Sequence, residues 1–176
     1  MIMGAIIAGD LESLGEIAQL LEGFPNGQDD FLRRSWITNA VDAGPLEVVR
    51  WMLSRGASVV FQDPEGSSIL HSAIERTLPH KYEILRALIA AGADLNAHGP
   101  NDWTPTHYAA VRNDVEALKI LLDAGANLSI RTRIDDYTTP LEEAISLGNA
   151  EKAVAYLKAF DIERQRREHR ARARRR

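Results

Sequence analysis

The chain has 176 residues, 45% hydrophobic and 26% charged, the size and mix of one folded domain able to bury a core. It contains no cysteine, which excludes disulfides, thiolate zinc sites and cysteine nucleophiles. The net charge of −4 is unevenly spread: residues 161–176 hold eight arginines against three acids, a net of +5, and the remainder carries −9. Such an asymmetry speaks of partners rather than of fold.

No stretch approaches the roughly 20 apolar residues of a membrane span. The opening MIMGAIIAGD lacks the basic segment of a signal peptide, so the expected location is cytoplasmic. In chain order, ESLGEIAQLLEGF (12–24) precedes PLEVVRWMLSRGA (45–57), KYEILRALIAAGADLNA (81–97), DVEALKILLDAGANLS (114–129) and NAEKAVAYLKAF (149–160). Aligned on Leu14, Leu46, Tyr82, Val115 and Ala150, these segments recur at intervals of 32, 36, 33 and 35 residues. A period near 33 predicts a solenoid of stacked units.

Each unit predicts a short helix, a turn, a longer helix and an extended loop. Val115, Leu118, Leu121 and Leu122 fall on one face of a helix. Gly56, Gly92 and Gly125 stand where a left-handed residue ends such a helix. Upstream, Thr104 is an N-cap and Pro105 a first helical residue, and the small Ala109 and Ala110 allow a neighbouring helix to approach. From Ala150 to Arg176 there is no glycine or proline, with Phe160 where a capping glycine is expected. The last helix is therefore predicted to run past residue 160 without an apolar stripe beyond Ile162.

These units resemble the ankyrin repeat, with its TPLHxAA-type helix start, its leucine pair and its GA-D-x-N turn. DWTPTHYAA (102–110) matches with Thr106 where leucine is usual. SSILHSAI (67–74) keeps Leu70 and His71, TTPLEEAI (138–145) has Glu142 in the histidine position, and SWITNAV (35–41) has Thr38 there. The resemblance implies an all-α ankyrin-repeat solenoid, a right-handed stack in a single domain over 1–176. Its expected parts are a degenerate N-terminal cap (1–30), repeats at 31–62, 63–98, 99–134 and 135–160, and an arginine-rich helical extension (161–176). Extra length is expected between helices near 76–83 and in the loop 130–140.

Chemistry is thin. His71, His80, His98, His107 and His169 form no metal-ligand spacing, and no GxSxG, phosphate-binding loop or dinucleotide fingerprint occurs. His71 and His107 recur 36 residues apart, with the period of the fold. An active-site histidine has no reason to do so; a structural one does. The resemblance implies that they hydrogen-bond backbone near the turn and tie adjacent repeats together. No catalytic residue, metal, cofactor or small-molecule substrate is expected, and the chain is not expected to be an enzyme.

The resemblance further implies a protein partner bound on a concave face of loop fingers and first helices. Carried onto this chain, that face comprises Arg34, Asp42, Glu65, Glu75, Arg76, Pro100, Asn101, Trp103, Arg112, Asp135, Asp136 and Tyr137. Trp103 is the favoured anchor, since aromatic residues dominate interface hot spots. The acidic body suggests a basic partner and a protein that is monomeric until it binds; a toxin neutralised by an immunity-type protein is one version. The alternative is an adaptor tethering nucleic acid or acidic membrane through the arginine-rich tail. A solvated extension is preferred there, because no aromatics interleave the arginines to stack bases.

Overall fold

In the computed structural model, residues 1–60, 62–134 and 137–173 are described. Among them, ten α-helices form five successive pairs: α1 Ile2–Ala8 with α2 Leu11–Leu20, α3 Trp36–Ala43 with α4 Leu46–Ser54, and α5 Ile69–Glu75 with α6 Lys81–Ala90. The chain continues with α7 Pro105–Val111 and α8 Val115–Asp123, then α9 Pro140–Leu147 and α10 Glu151–Ala173. The first helices stack in the order α1, α3, α5, α7, α9, while α4, α6, α8 and α10 stack behind them. The architecture is an all-α repeat solenoid.

The second helices start at residues 11, 46, 81, 115 and 151, intervals of 35, 35, 34 and 36. This corrects the alignment of Leu14 with Leu46 by one turn. Asp10 accepts the Ser13 N–H at 3.0 Å and starts α2 there, so Leu11 stands opposite Leu46. Leu14 lies one turn into its helix and is fully buried, as are Val49, Leu85 and Leu118. Met52, Leu88, Leu121 and Leu157 form a second buried row one turn further on. Each such leucine contributes about 1.5–3 kcal/mol on leaving water, which no single helix pair could collect alone.

The local signals act as their residue types dictate. Ser35, Thr104 and Thr139 accept the N–H groups of Thr38, His107 and Glu142, satisfying helix-start donors. Pro105 and Pro140 occupy the first turn, where a missing N–H costs nothing. Gly56, Gly92 and Gly125 turn the chain at φ of 78°, 92° and 99°.

Between helix pairs the chain forms four closed fingers. Each is pinned at its base by a backbone bond: Asp29 N–H to Arg34 O, Asp63 N–H to Ser67 O, Gly99 N–H to Trp103 O and Thr132 N–H to Thr138 O, at 2.8–3.0 Å. The extra length foreseen in 130–140 lies in the fourth finger, the widest-spaced of these pairs. The other insertion is the loop between Glu75 and Lys81. Asn26 and Asn96 accept the backbone N–H of Ser58 and Asn127 at 2.7 and 2.9 Å, joining each turn to the next repeat. Thr106 is an irregularity: its hydroxyl is buried in α7 with no partner among the described residues.

Candidate protein-interaction face

His71 and His107 perform one job twice. Each Nδ1 accepts a backbone N–H, from Ser68 and Thr104 respectively, at 3.2 Å. Each Nε2 lies 3.0 Å from a carbonyl of the following finger, Trp103 O for His71 and Thr138 O for His107. An acceptor at Nδ1 requires the neutral ring, so Nε2 carries the proton and donates it. Burial pushes both rings toward that form, His71 down to about 4 and His107 in the same direction. A Cβ on Gly99 would lie 2.7 Å from the His71 ring, so only glycine lets the third finger come this close. Both rings are structural ties, as their recurrence predicted.

Where histidine is absent, other groups serve. Thr38 hydrogen-bonds the Ser35 hydroxyl at 2.7 Å. Glu142 turns back to the Thr139 N–H at 2.8 Å and pairs with Arg131. The Thr139 amide, with Arg131, holds its carboxyl near 2.

An arginine joins the first and second fingers, and a second one ties the end of α3 to the loop after α5. Arg34 pairs with Asp42, reaches Asp63 at 3.7 Å and donates to the Ser72 hydroxyl at 3.4 Å. Arg76 was expected to be exposed; the structure corrects this. It is 6% exposed. Its guanidinium donates to Val41 O, to Gly44 O at 2.8 Å and to Pro79 O at 3.1 Å. The carbonyls at the C-terminal end of α3 draw it inward, where a cation also complements the helix dipole. Asp42 and Asp63 are pushed up by their burial, with the Arg34 charge opposing.

Most of the remaining expected residues lie on the fingers and first helices. Glu65, Asn101, Arg112 and Tyr137 are exposed; Pro100 and Trp103 are half-buried; Asp135 and Asp136 lie outside the described residues. The structure gathers a cluster that the sequence scattered. The Trp103 and Tyr108 rings lie 6.3 Å apart, and Tyr108 meets His71 edge-on at 5.4 Å. Arg112 lies 4.5 Å over the Tyr108 ring and bridges at 2.8 Å to both the Tyr108 hydroxyl and Glu75. Tyr108 is absent from the sequence-based set, because its place beside Trp103, His71 and Arg112 is set by packing against the neighbouring repeat. Phe31, 90% exposed at the tip of the first finger, was also missed. Asp102 links the third and fourth fingers: the Arg133 guanidinium, 3.0 Å away, holds its carboxyl near 2.

Residues 78–166 match the family description "Ankyrin repeats" in three copies. The chain belongs to the ankyrin repeat family. It is 33% identical over 107 residues to the RelA-associated inhibitor of Mus musculus, covering 61% of this chain and 12% of that protein. It is 30% identical over 114 residues to a putative ankyrin repeat protein of Rickettsia felis, 65% of this chain and 30% of that one. A putative E3 ubiquitin-protein ligase of Arabidopsis thaliana, XBAT35, is 33% identical over 106 residues, 59% of this chain and 22% of that protein. The chain thus spans between 12% and 30% of the length of these relatives. Ankyrin repeats are protein–protein interaction modules. Among the described residues, no helix is long and apolar enough to cross a membrane, and no cluster of three or more His, Asp or Glu residues is placed to hold a metal ion.

Proposed function

We propose that the chain is a single non-catalytic ankyrin domain over residues 1–176, which binds another protein through its fingers and first helices. The observation that carries this reading is the cluster of Trp103, Tyr108, Arg112 and Glu75. It combines the three residue types most enriched in interface hot spots. It is anchored through His71 to the frame, so little conformational freedom is lost on binding.

The acidic excess of residues 1–160 supports a partner with a basic surface. Association is therefore expected to weaken as salt rises. A basic toxin occluded by this face is one version. Rescue of a toxin's lethality by co-expression of this chain tests it; absence of any rescue among toxins encoded beside it removes it.

The general reading is tested by comparing partners of the native chain with those of a Trp103→Ala, Arg112→Glu variant whose fold is intact by circular dichroism. A direct partner should be lost from the variant and kept when residues 163–176 are deleted. A partner that binds both proteins equally, and is lost on changing Arg86 and Lys119 behind the stack, overturns it.

A further inference from the structure

The arginine-bearing end of α10 stands apart from the interaction face. The helix runs unbroken through 23 residues, about 35 Å at 1.5 Å per residue. Its buried residues are Ala153 and Leu157, and everything from Gln165 to Ala173 is exposed. The outer turns begin from a ladder of side-chain bonds: Arg164 to Asp161 at 2.7 Å, Gln165 to Asp161 at 2.8 Å and Arg167 to Glu163 at 3.2 Å. The arginines are thus carried on a projecting rod rather than a coil.

The make-up of the rod narrows what it can hold. Ile162 is its last large apolar residue, so it has no apolar face to sink into a membrane interface. Its outer turns offer no aromatic or aliphatic anchor for a protein hot spot. Arg166, Arg170 and Arg172 make no ion pair among the described residues. At 3.6 residues per turn, Arg166, Arg167 and Arg170 fall within an arc of about 100°. Tyr156 and Phe160, with ring centroids 6.2 Å apart, lie on the same side of the helix. They line a cleft of about 340 Å³ with Arg164 and Arg167. Asp123, Glu163 and Glu168 share that cleft and disfavour an anion inside it, which leaves the outer turns as the anion-facing part. Arginine, unlike lysine, presents a planar fork that matches phosphate oxygens in pairs.

We infer that the outer turns of α10, from Arg166 to Arg172, form a nucleic-acid arm that holds the phosphodiester backbone without reading sequence. Charge without apolar surface is the signature of backbone binding, in which released counterions supply most of the free energy. The body's net charge of −9 repels the same polyanion, confining contact to the arm. Binding is accordingly weak, on the order of 1–100 µM at physiological salt, and strongly salt-dependent.

Fluorescence anisotropy of labelled DNA and RNA, single-stranded and duplex, against the full chain tests this. The native protein should bind at least one of these probes. The Arg166→Gln, Arg170→Gln, Arg172→Gln variant should bind at least about tenfold more weakly, with a log–log salt slope shallower by about 2.7 for three lost phosphate contacts. Glutamine keeps the helix, and equal helicity by circular dichroism separates lost charge from lost structure. Three outcomes overturn the inference: no binding to any probe at low salt, unchanged affinity in the variant, or tighter binding to phosphatidylserine-containing vesicles than to nucleic acid.

Discussion

The second, third and fourth fingers are tied by imidazoles, the first and second by guanidinium groups. Both seams join one repeat to the next: His71 and His107 reach from a first helix to the following finger, and Arg34 reaches from the first finger to Asp63 and Ser72 of the following repeat. The histidine seam is neutral and directional. It works only while Nδ1 remains an acceptor, and its burial guarantees that near neutral pH. The arginine seam is charged and needs carboxylates beside it, so it draws in Asp42 and Asp63 and holds them where ionisation is costly. The two seams should therefore share a response to damage in the common core and differ in their response to acid.

The largest effect is the one both seams share. Leu121→Ala, in the fully buried second-helix row, should cost about 2–5 kcal/mol in urea unfolding. A negligible change would contradict a continuous core. Next, His71→Ala should cost about 2–3 kcal/mol, because it strands the buried Ser68 N–H, removes the bond to Trp103 O and leaves a void. Arg76→Gln should cost about 2 kcal/mol by stranding Val41 O and Gly44 O. If either proved silent, those bonds would not be holding adjacent repeats together.

Acid should then separate the seams. A buried histidine whose folded value is depressed contributes stability above its unfolded value, about 6.5, and loses it as the pH falls through the folded one. For His71 that window runs from about 6.5 down to about 4, with a slope of at most about 1.4 kcal/mol per pH unit. Asp42 and Asp63, whose values are raised, act in the opposite sense, since protonation relieves their burial. Stability measured between pH 7 and pH 4 should fall in the native chain and fall less in a His71→Gln variant; parallel curves would show that the ring does not titrate on unfolding. Smallest is a gain. Thr106→Val replaces an unpartnered buried hydroxyl with a methyl group of the same shape and should stabilise by about 1 kcal/mol. Thermal unfolding reads it directly, and a loss would mean that the hydroxyl has a partner.

Glu142 shows the limit of the histidine device. In α9 no later finger among the described residues receives a second bond, and the acid folds back on Thr139 and Arg131 instead. The substitution was visible in TTPLEEAI; its reason was not, because it depends on what lies beyond the repeat. Likewise Arg76 and Arg112 stand at one point of the repeat, 36 residues apart, and both were expected on the surface. Arg112 turns out over Tyr108 toward Glu75. Arg76 turns in, because the end of α3 offers it Val41 O and Gly44 O.

The sequence by itself determined the period, the helix starts at Ser35, Thr104 and Thr139, the glycine turns, the structural role of the paired histidines and the run of α10 past residue 160. These signals act over three or four residues, or repeat with the fold, and periodicity makes them readable. Only the tertiary structure decided the correct register of α2, the inward turn of Arg76, the orphan hydroxyl of Thr106 and the meeting of Trp103, Tyr108, Arg112 and Glu75. The inward turn of Arg76 and the arrival of Glu75 and His71 at the aromatic cluster rest on contacts across adjacent repeats, between residues 30 or more apart in the chain. There, the rotamer of one side chain is set by whichever carbonyl, ring or carboxylate the neighbouring unit leaves unsatisfied.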